Sequence, residues 1–118
     1  MTGTGIPAPD GGTGSTANHL QAVVVKRGPN AGRRFPLDQP VTSVGRNHDS
    51  DIFLDDVTVG RKHAQLRRQG LDVHIVDLDS LNGTYVNDKH VRSAPLTNGD
   101  RINIGKFRLV FLASPSTG

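Results

Sequence analysis

A chain of 118 residues with a formal charge of +3, 4% aromatic residues and neither Trp nor Cys has room for one ordinary domain whose core must come mainly from Val, Ile and Leu. The missing cysteine excludes disulfides, thiolate metal sites and cysteine nucleophiles. No apolar run approaches the roughly 18 residues of a membrane span, and the N-terminus lacks the basic region and apolar core of a secretory leader, so a cytoplasmic protein with no membrane partner is expected.

Residues 1–19, MTGTGIPAPDGGTGSTANH, are dominated by Gly, Thr, Pro and Ala with Asp10 as the sole carboxylate. Such a composition cannot bury enough apolar surface to offset its ordering entropy, and it reads as a disordered tail. Within it Gly12 to Ala17 (GTGSTA) matches the dinucleotide fingerprint G-x-G-x-x-G/A, but the strand before it and the helix after it that the fingerprint needs are both missing, so the match is chance. From Leu20 the chain turns into short β-like runs: 20–26, 33–37, 41–44, 51–54, 62–69, 71–77, 84–86, 89–92, 101–104 and 106–112. Turn sequences part many of these runs, among them GPNAG at 28–32, RQG at 68–70, VND at 86–88 and TNGD at 97–100, each supplying residues that tolerate positive φ. The last run alternates cleanly, with Phe107, Leu109 and Phe111 on the face assigned to the core. All 11 acidic residues are Asp, and the absence of Glu, a good helix former, also favours an all-β chain. The organisation expected is a tail (1–19), one domain (20–113) and a loose end (114–118).

The polar groups that stand out lie at strand ends and in loops: Gly45-Arg46, then Gly60-Arg61-Lys62-His63, then Ser80-Leu81-Asn82-Gly83-Thr84. In a sandwich the loops at one end of the two sheets cluster, so distant segments can form one binding edge. An arginine at a strand exit offers phosphate oxygens a bidentate fork that lysine lacks. Asparagine offers one donor and one acceptor, which suits holding a peptide main chain.

The order and spacing of VGR (44–46), RKHA (61–64), DLDSLNGTYVN (77–87) and NGDRINIG (98–105) resemble the forkhead-associated (FHA) domain, over roughly residues 20–112. Within that family VVKRGPNAG, SDIFLDDVTV, SLNGTYVN and IGKFRLVFL look most like the small actinobacterial regulators of the GarA and OdhI type. The resemblance implies an FHA-type β-sandwich of about eleven strands whose apical loops bind a threonine-phosphorylated protein or peptide. It implies phosphopeptide contacts from Arg46, Gly60, Arg61, Leu81 and Asn82. It gives structural roles at the site to Gly45, His63, Gly83 and Thr84, with His63 ordering the loop from within. No cofactor is implied. The partners it suggests are Ser/Thr protein kinases and enzymes of 2-oxoglutarate and glutamate metabolism, met by a monomer. Relatives of this type close a phosphorylated acidic tail onto the site; here Thr13 and Thr16 are the candidate phosphosites, in an almost uncharged segment.

The family pattern is Ser-Arg-x-His, whose serine donates to phosphate through both its hydroxyl and its backbone N–H. This chain has Gly60 there. The expectation is that the backbone donor survives and the hydroxyl is lost, costing about 1.5–3 kcal/mol, with a looser loop besides. Three readings stay open at this point: a weakened phosphothreonine reader, a phospho-independent protein-binding surface on the same fold, or an introduced substitution.

Other classes fit less well. The close carboxylates, Asp55-Asp56 and Asp77/Asp79, fall where loops use solvated or turn-capping Asp, not where an acid-base pair would act. His19, His48, His63, His74 and His90 have no metal-ligand spacing, so no metal is expected. The basic pairs Lys26-Arg27, Arg33-Arg34, Arg61-Lys62 and Arg67-Arg68 favour an acidic or phosphorylated partner. With few exposed aromatics for stacking and no groove-reading helix, a nucleic-acid-binding basic β domain is the remote alternative.

Overall fold

A computed structural model describes residues 21–113. The tail and end assigned to 1–19 and 114–118, with Thr13, Thr16 and His19, lie outside the described residues. Eleven strands follow in chain order: β1 (Gln21–Arg27), β2 (Arg34–Pro36), β3 (Val41–Gly45), β4 (Ile52–Phe53), β5 (Ala64–Gln69), β6 (Asp72–Asp77), β7 (Thr84–Val86), β8 (Lys89–Val91), β9 (Ser93–Leu96), β10 (Arg101–Ile104) and β11 (Phe107–Ala113). They form a six-stranded sheet ordered β2-β1-β11-β10-β7-β8 and a five-stranded sheet ordered β4-β3-β5-β6-β9. All pairings are antiparallel except β3 with β4. No helix among the described residues is long and apolar enough to cross a membrane.

The period-2 alternation produces the core directly, because successive strand side chains point to opposite faces. Val23, Val25, Ile102, Ile104, Phe107, Leu109 and Phe111 of one sheet meet Val44, Ile52, Leu66, Val73 and Ile75 of the other, each at most 3% exposed. Burying each such side chain contributes about 1.5–3 kcal/mol. The turn segments behave as their residues require: Gly28, Gly32, Gly70, Gly99, Asn87 and Asp88 all take positive φ.

One strand has no counterpart in the runs read from sequence. Residues 93–96 (SAPL) pair with β6, Val73 opposite Leu96 and Val76 opposite Ser93. Pro95 breaks the sequence signal, and the strand tolerates it because β9 is the edge of its sheet, where a missing N–H can face away from the ladder.

Candidate functional site

Three loops converge at one end of the sandwich: β3–β4, β4–β5 and β6–β7. The first two are stitched by backbone bonds, Arg46 N–H to the Gly60 carbonyl (2.9 Å) and Asn47 N–H to the Arg61 carbonyl (3.2 Å). Gly45 makes this approach feasible. A Cβ there would run into the Arg61 carbonyl, so the last residue of β3 has to lack a side chain if the β4–β5 loop is to lie against it. Arg46 is half-buried, and its Nε donates to the Val59 carbonyl (3.1 Å), which fixes the guanidinium along the loop. Arg61, on the same loop, is exposed. Backbone geometry thus sets two arginine-bearing segments side by side.

His63 joins this pair of loops to the third. It is fully buried. Its Nδ1 accepts the Gly60 N–H (2.9 Å), and its Nε2 lies 2.9 Å from the Gly83 carbonyl. Only the neutral Nε2–H tautomer satisfies both contacts, since the first nitrogen must accept and the second must donate. Burial holds the pKa of His63 below the ordinary histidine value, against the opposing pull of the Gly83 carbonyl and of Asp77, whose Oδ1 is 3.9 Å from Nε2.

The β6–β7 loop is capped from below by Asp77. It accepts from the Ser80 N–H and hydroxyl (3.1 and 2.6 Å) and from the Thr84 hydroxyl (2.7 Å), and Thr84 is fully buried. Burial raises the Asp77 carboxyl, but these hydrogen bonds outweigh it and leave the pKa below the usual carboxylate value. Gly83 takes φ 84°, and a Cβ there would meet the His90 ring at 2.7 Å. The turn therefore presents Asn82 outward, where its Nδ2 donates to the Thr58 carbonyl of the β4–β5 loop (2.8 Å).

Thr58 is the residue that sequence reasoning passed over. Its N–H and hydroxyl both donate to Asp56, its hydroxyl oxygen accepts the Lys106 N–H (3.1 Å), and its carbonyl takes the Asn82 amide. The Thr58 bonds, then the Lys106 Nζ 3.1 Å away, push the Asp56 carboxyl down to about 2. The signal was present as Asp56-x-Thr58, an Asp followed two residues on by a backbone N–H it can cap. Asp56 and Asp77 are the loop-capping carboxylates expected. Beside Asn82, a cleft of about 320 Å³ opens between Thr58, Tyr85 and Lys106.

The structure brings Arg46, Gly60, Arg61 and Asn82 to one edge with Gly45, His63, Gly83 and Thr84 beneath them. Leu81 stands 96% exposed at the loop tip, with Val57 of the neighbouring loop 88% exposed. Two expectations about Gly60 need correction. Its backbone N–H is retained but committed to His63 Nδ1, so it is not a spare donor. Nor is the loop loosened by the glycine, because both backbone groups of Gly60 are hydrogen-bonded within the protein.

Comparison with known proteins adds three findings. The FHA domain family model matches residues 42–105. The glycogen accumulation regulator GarA of Mycolicibacterium smegmatis is 65% identical over 95 residues, covering 80% of this chain and 60% of that protein. The oxoglutarate dehydrogenase inhibitor of Corynebacterium efficiens is 56% identical over 117 residues, 98% of this chain and 82% of that protein. The chain spans about 60% of the length of the mycobacterial relatives it matches. Among solved structures, one from a study of phosphothreonine-dependent FHA domain interactions superposes with a TM-score of 0.75 at 29% identity, over 80% of this chain and 97% of that one.

Proposed function

Because the chain belongs to the FHA domain family, we propose that its apical loops read phosphothreonine on a protein partner and that it acts as a cytoplasmic, monomeric signalling adaptor or regulator downstream of Ser/Thr kinases. The observation that carries this reading is the stitching of the two arginine-bearing loops, Arg46 N–H to the Gly60 carbonyl and Asn47 N–H to the Arg61 carbonyl, with Asn82 tied to the second loop through Thr58. A phosphate set against this edge meets the Arg46 fork and the Arg61 charge. The peptide main chain then runs past Asn82 toward the cleft between Thr58, Tyr85 and Lys106.

The chemistry is recognition, not catalysis. The relatives are named a regulator and an inhibitor. By analogy the partners proposed are Ser/Thr kinases and enzymes of 2-oxoglutarate and glutamate metabolism, and the domain is taken as residues 20–113. Binding is weaker than in a serine-bearing site, since position 60 gives no hydroxyl.

A second reading rests on its own observation. Val57 and Leu81, 88% and 96% exposed, put two apolar side chains on the loops around the cations, a composition suited to docking an unphosphorylated protein on the same edge. Titration calorimetry separates the two. A degenerate phosphothreonine peptide pool and its unphosphorylated twin are titrated into the parent and into Arg46→Ala. The phosphoreader binds only the phosphorylated pool and loses at least about tenfold with Arg46, one charged hydrogen bond being about 1.5–3 kcal/mol. Equal binding of both pools, unaffected by Arg46→Ala, rejects it in favour of the apolar edge.

A further inference from the structure

Away from the apical loops, a cleft of about 480 Å³ lies on the five-stranded sheet, lined by Val41, Arg67, Arg68, His74 and Val76 with Pro40 at its margin. Strand register explains the assembly. Arg67 of β5 sits directly opposite Val41 of β3 on one side and His74 of β6 on the other. Side chains opposite one another on a sheet face are nearest neighbours, so two basic groups and a valine form one continuous row.

The cations are posed rather than loose. Arg67 donates from Nε and Nη2 to the Gln65 Oε1 (3.1 and 3.0 Å), which fixes its fork and leaves its other N–H groups for a ligand. Arg68, the next residue on β5, starts from the opposite face of the sheet; its Nη1 donates to the Gly70 carbonyl (3.3 Å) and its Nε is buried. Among the described residues no carboxylate lines the cleft. Val41 is 42% exposed and, with Val76, gives the cleft an apolar floor beside Arg67.

From this arrangement we infer that the cleft is a second docking site, which takes an acidic segment of a protein partner carrying aliphatic side chains between its carboxylates. The Arg67 guanidinium recognises a carboxylate by paired N–H donors, with His74 beside it as the second basic group, and the valine floor takes the aliphatic groups. The described lining has no Phe, Tyr or Trp ring on which a base could stack, which disfavours a nucleic-acid strand. Nor does the chain's own N-terminal segment fit, since residues 1–20 contain one carboxylate, Asp10.

The placement couples the two sites. Strand β5 begins at Ala64, next to His63, and reaches Arg67 three residues on, a rise of about 10 Å. A partner anchored at Arg46 and Arg61 by one group therefore reaches the cleft with a segment a few residues away or with an adjoining surface. The inference does not depend on the phosphothreonine reading, because the cleft shares no residue with the apical site.

The test maps amide shifts of the ¹⁵N-labelled 118-residue chain on addition of a hexapeptide of alternating glutamate and leucine. The matching glutamine-leucine peptide, glutarate and a short single-stranded DNA are run alongside. The expected result is saturable shifts at Val41, Arg67, Arg68, His74 and Val76 with the acidic peptide only, weakened about tenfold in Arg67→Gln. Arg67 is exposed, so this variant keeps the fold, and an Arg46→Ala variant should bind the acidic peptide as the parent does. Any of four results would overturn the proposal: no saturable shift at these residues, equal binding of the glutamine peptide, displacement of the peptide by DNA, or glutarate binding as tightly as the peptide.

Discussion

Restoring a hydroxyl at position 60 tests the site most directly. Gly60 does not take positive φ, and a Cβ built on it meets the His63 Nδ1, Cα and Cβ at 3.5, 3.6 and 3.7 Å, ordinary van der Waals contact. Gly60→Ser therefore enters without strain, and the loss of glycine's freedom in the unfolded chain stabilises the fold by about 0.4–1 kcal/mol. On the ligand side the new hydroxyl adds one hydrogen bond to a charged group, about 1.5–3 kcal/mol, or roughly a 10- to 150-fold tighter complex. Calorimetric titration of the degenerate phosphothreonine pool reads the second effect, and urea unfolding reads the first. An unchanged phosphopeptide affinity in a variant that is folded and slightly more stable would show that phosphate does not sit beside position 60. A gain shared equally by the unphosphorylated pool would refute the reasoning as firmly.

Two further outcomes follow from the same geometry. In Gly45→Ala the added methyl collides with the Arg61 carbonyl; the urea midpoint should fall by the equivalent of about 1–3 kcal/mol and phosphopeptide affinity should drop with it, whereas a neutral substitution would mean the two loops do not touch. Because the folded pKa of His63 is depressed, the unfolded chain takes up this proton first as pH falls. Its contribution is therefore whole above about 6.5 and declines below that value, with a slope approaching about 1.4 kcal/mol per pH unit. Ring-proton NMR should place the His63 midpoint below 6.5; a midpoint at or above it removes the effect.

What the sequence revealed, and what it hid, divides along a physical line. The strands from Gln21 to Arg27 and from Phe107 to Ala113 are legible because the first is built on a run of β-branched residues and the second alternates between core and surface. SAPL at 93–96 is not, because Pro95 reads as a break and only the ladder to β6 shows that an edge strand accommodates it. At the candidate site, Arg46, Gly60, Arg61 and Asn82 are singled out by the resemblance that their motifs carry. Their mutual placement is not, since it rests on backbone groups such as the Arg46 N–H and the Gly60 carbonyl, which no side-chain pattern encodes. Thr58 stayed hidden for the opposite reason: its four contacts reach residues 2, 24 and 48 positions away, and only folding brings them together.

That backbone lacing also decides how Gly60 should be understood. A glycine in a free loop would add ordering entropy to every binding event, roughly 1–2 kcal/mol for a residue fixed on complex formation. Here the Gly60 N–H is held by His63 and its carbonyl by the Arg46 N–H, so the order exists before ligand arrives. Under the phosphothreonine reading proposed above, the handicap is thus confined to a missing donor and does not extend to a disordered loop. The two defects differ in measurable sign: a donor deficit shows as lost binding enthalpy with an unchanged loop in the free protein, a disorder deficit as unfavourable binding entropy with rapid amide exchange at Gly60 and Arg61. Slow exchange of the Gly60 amide in the free protein, followed by an enthalpic gain in Gly60→Ser, is the combination the structure requires, and fast exchange there would mean that His63 does not hold the loop.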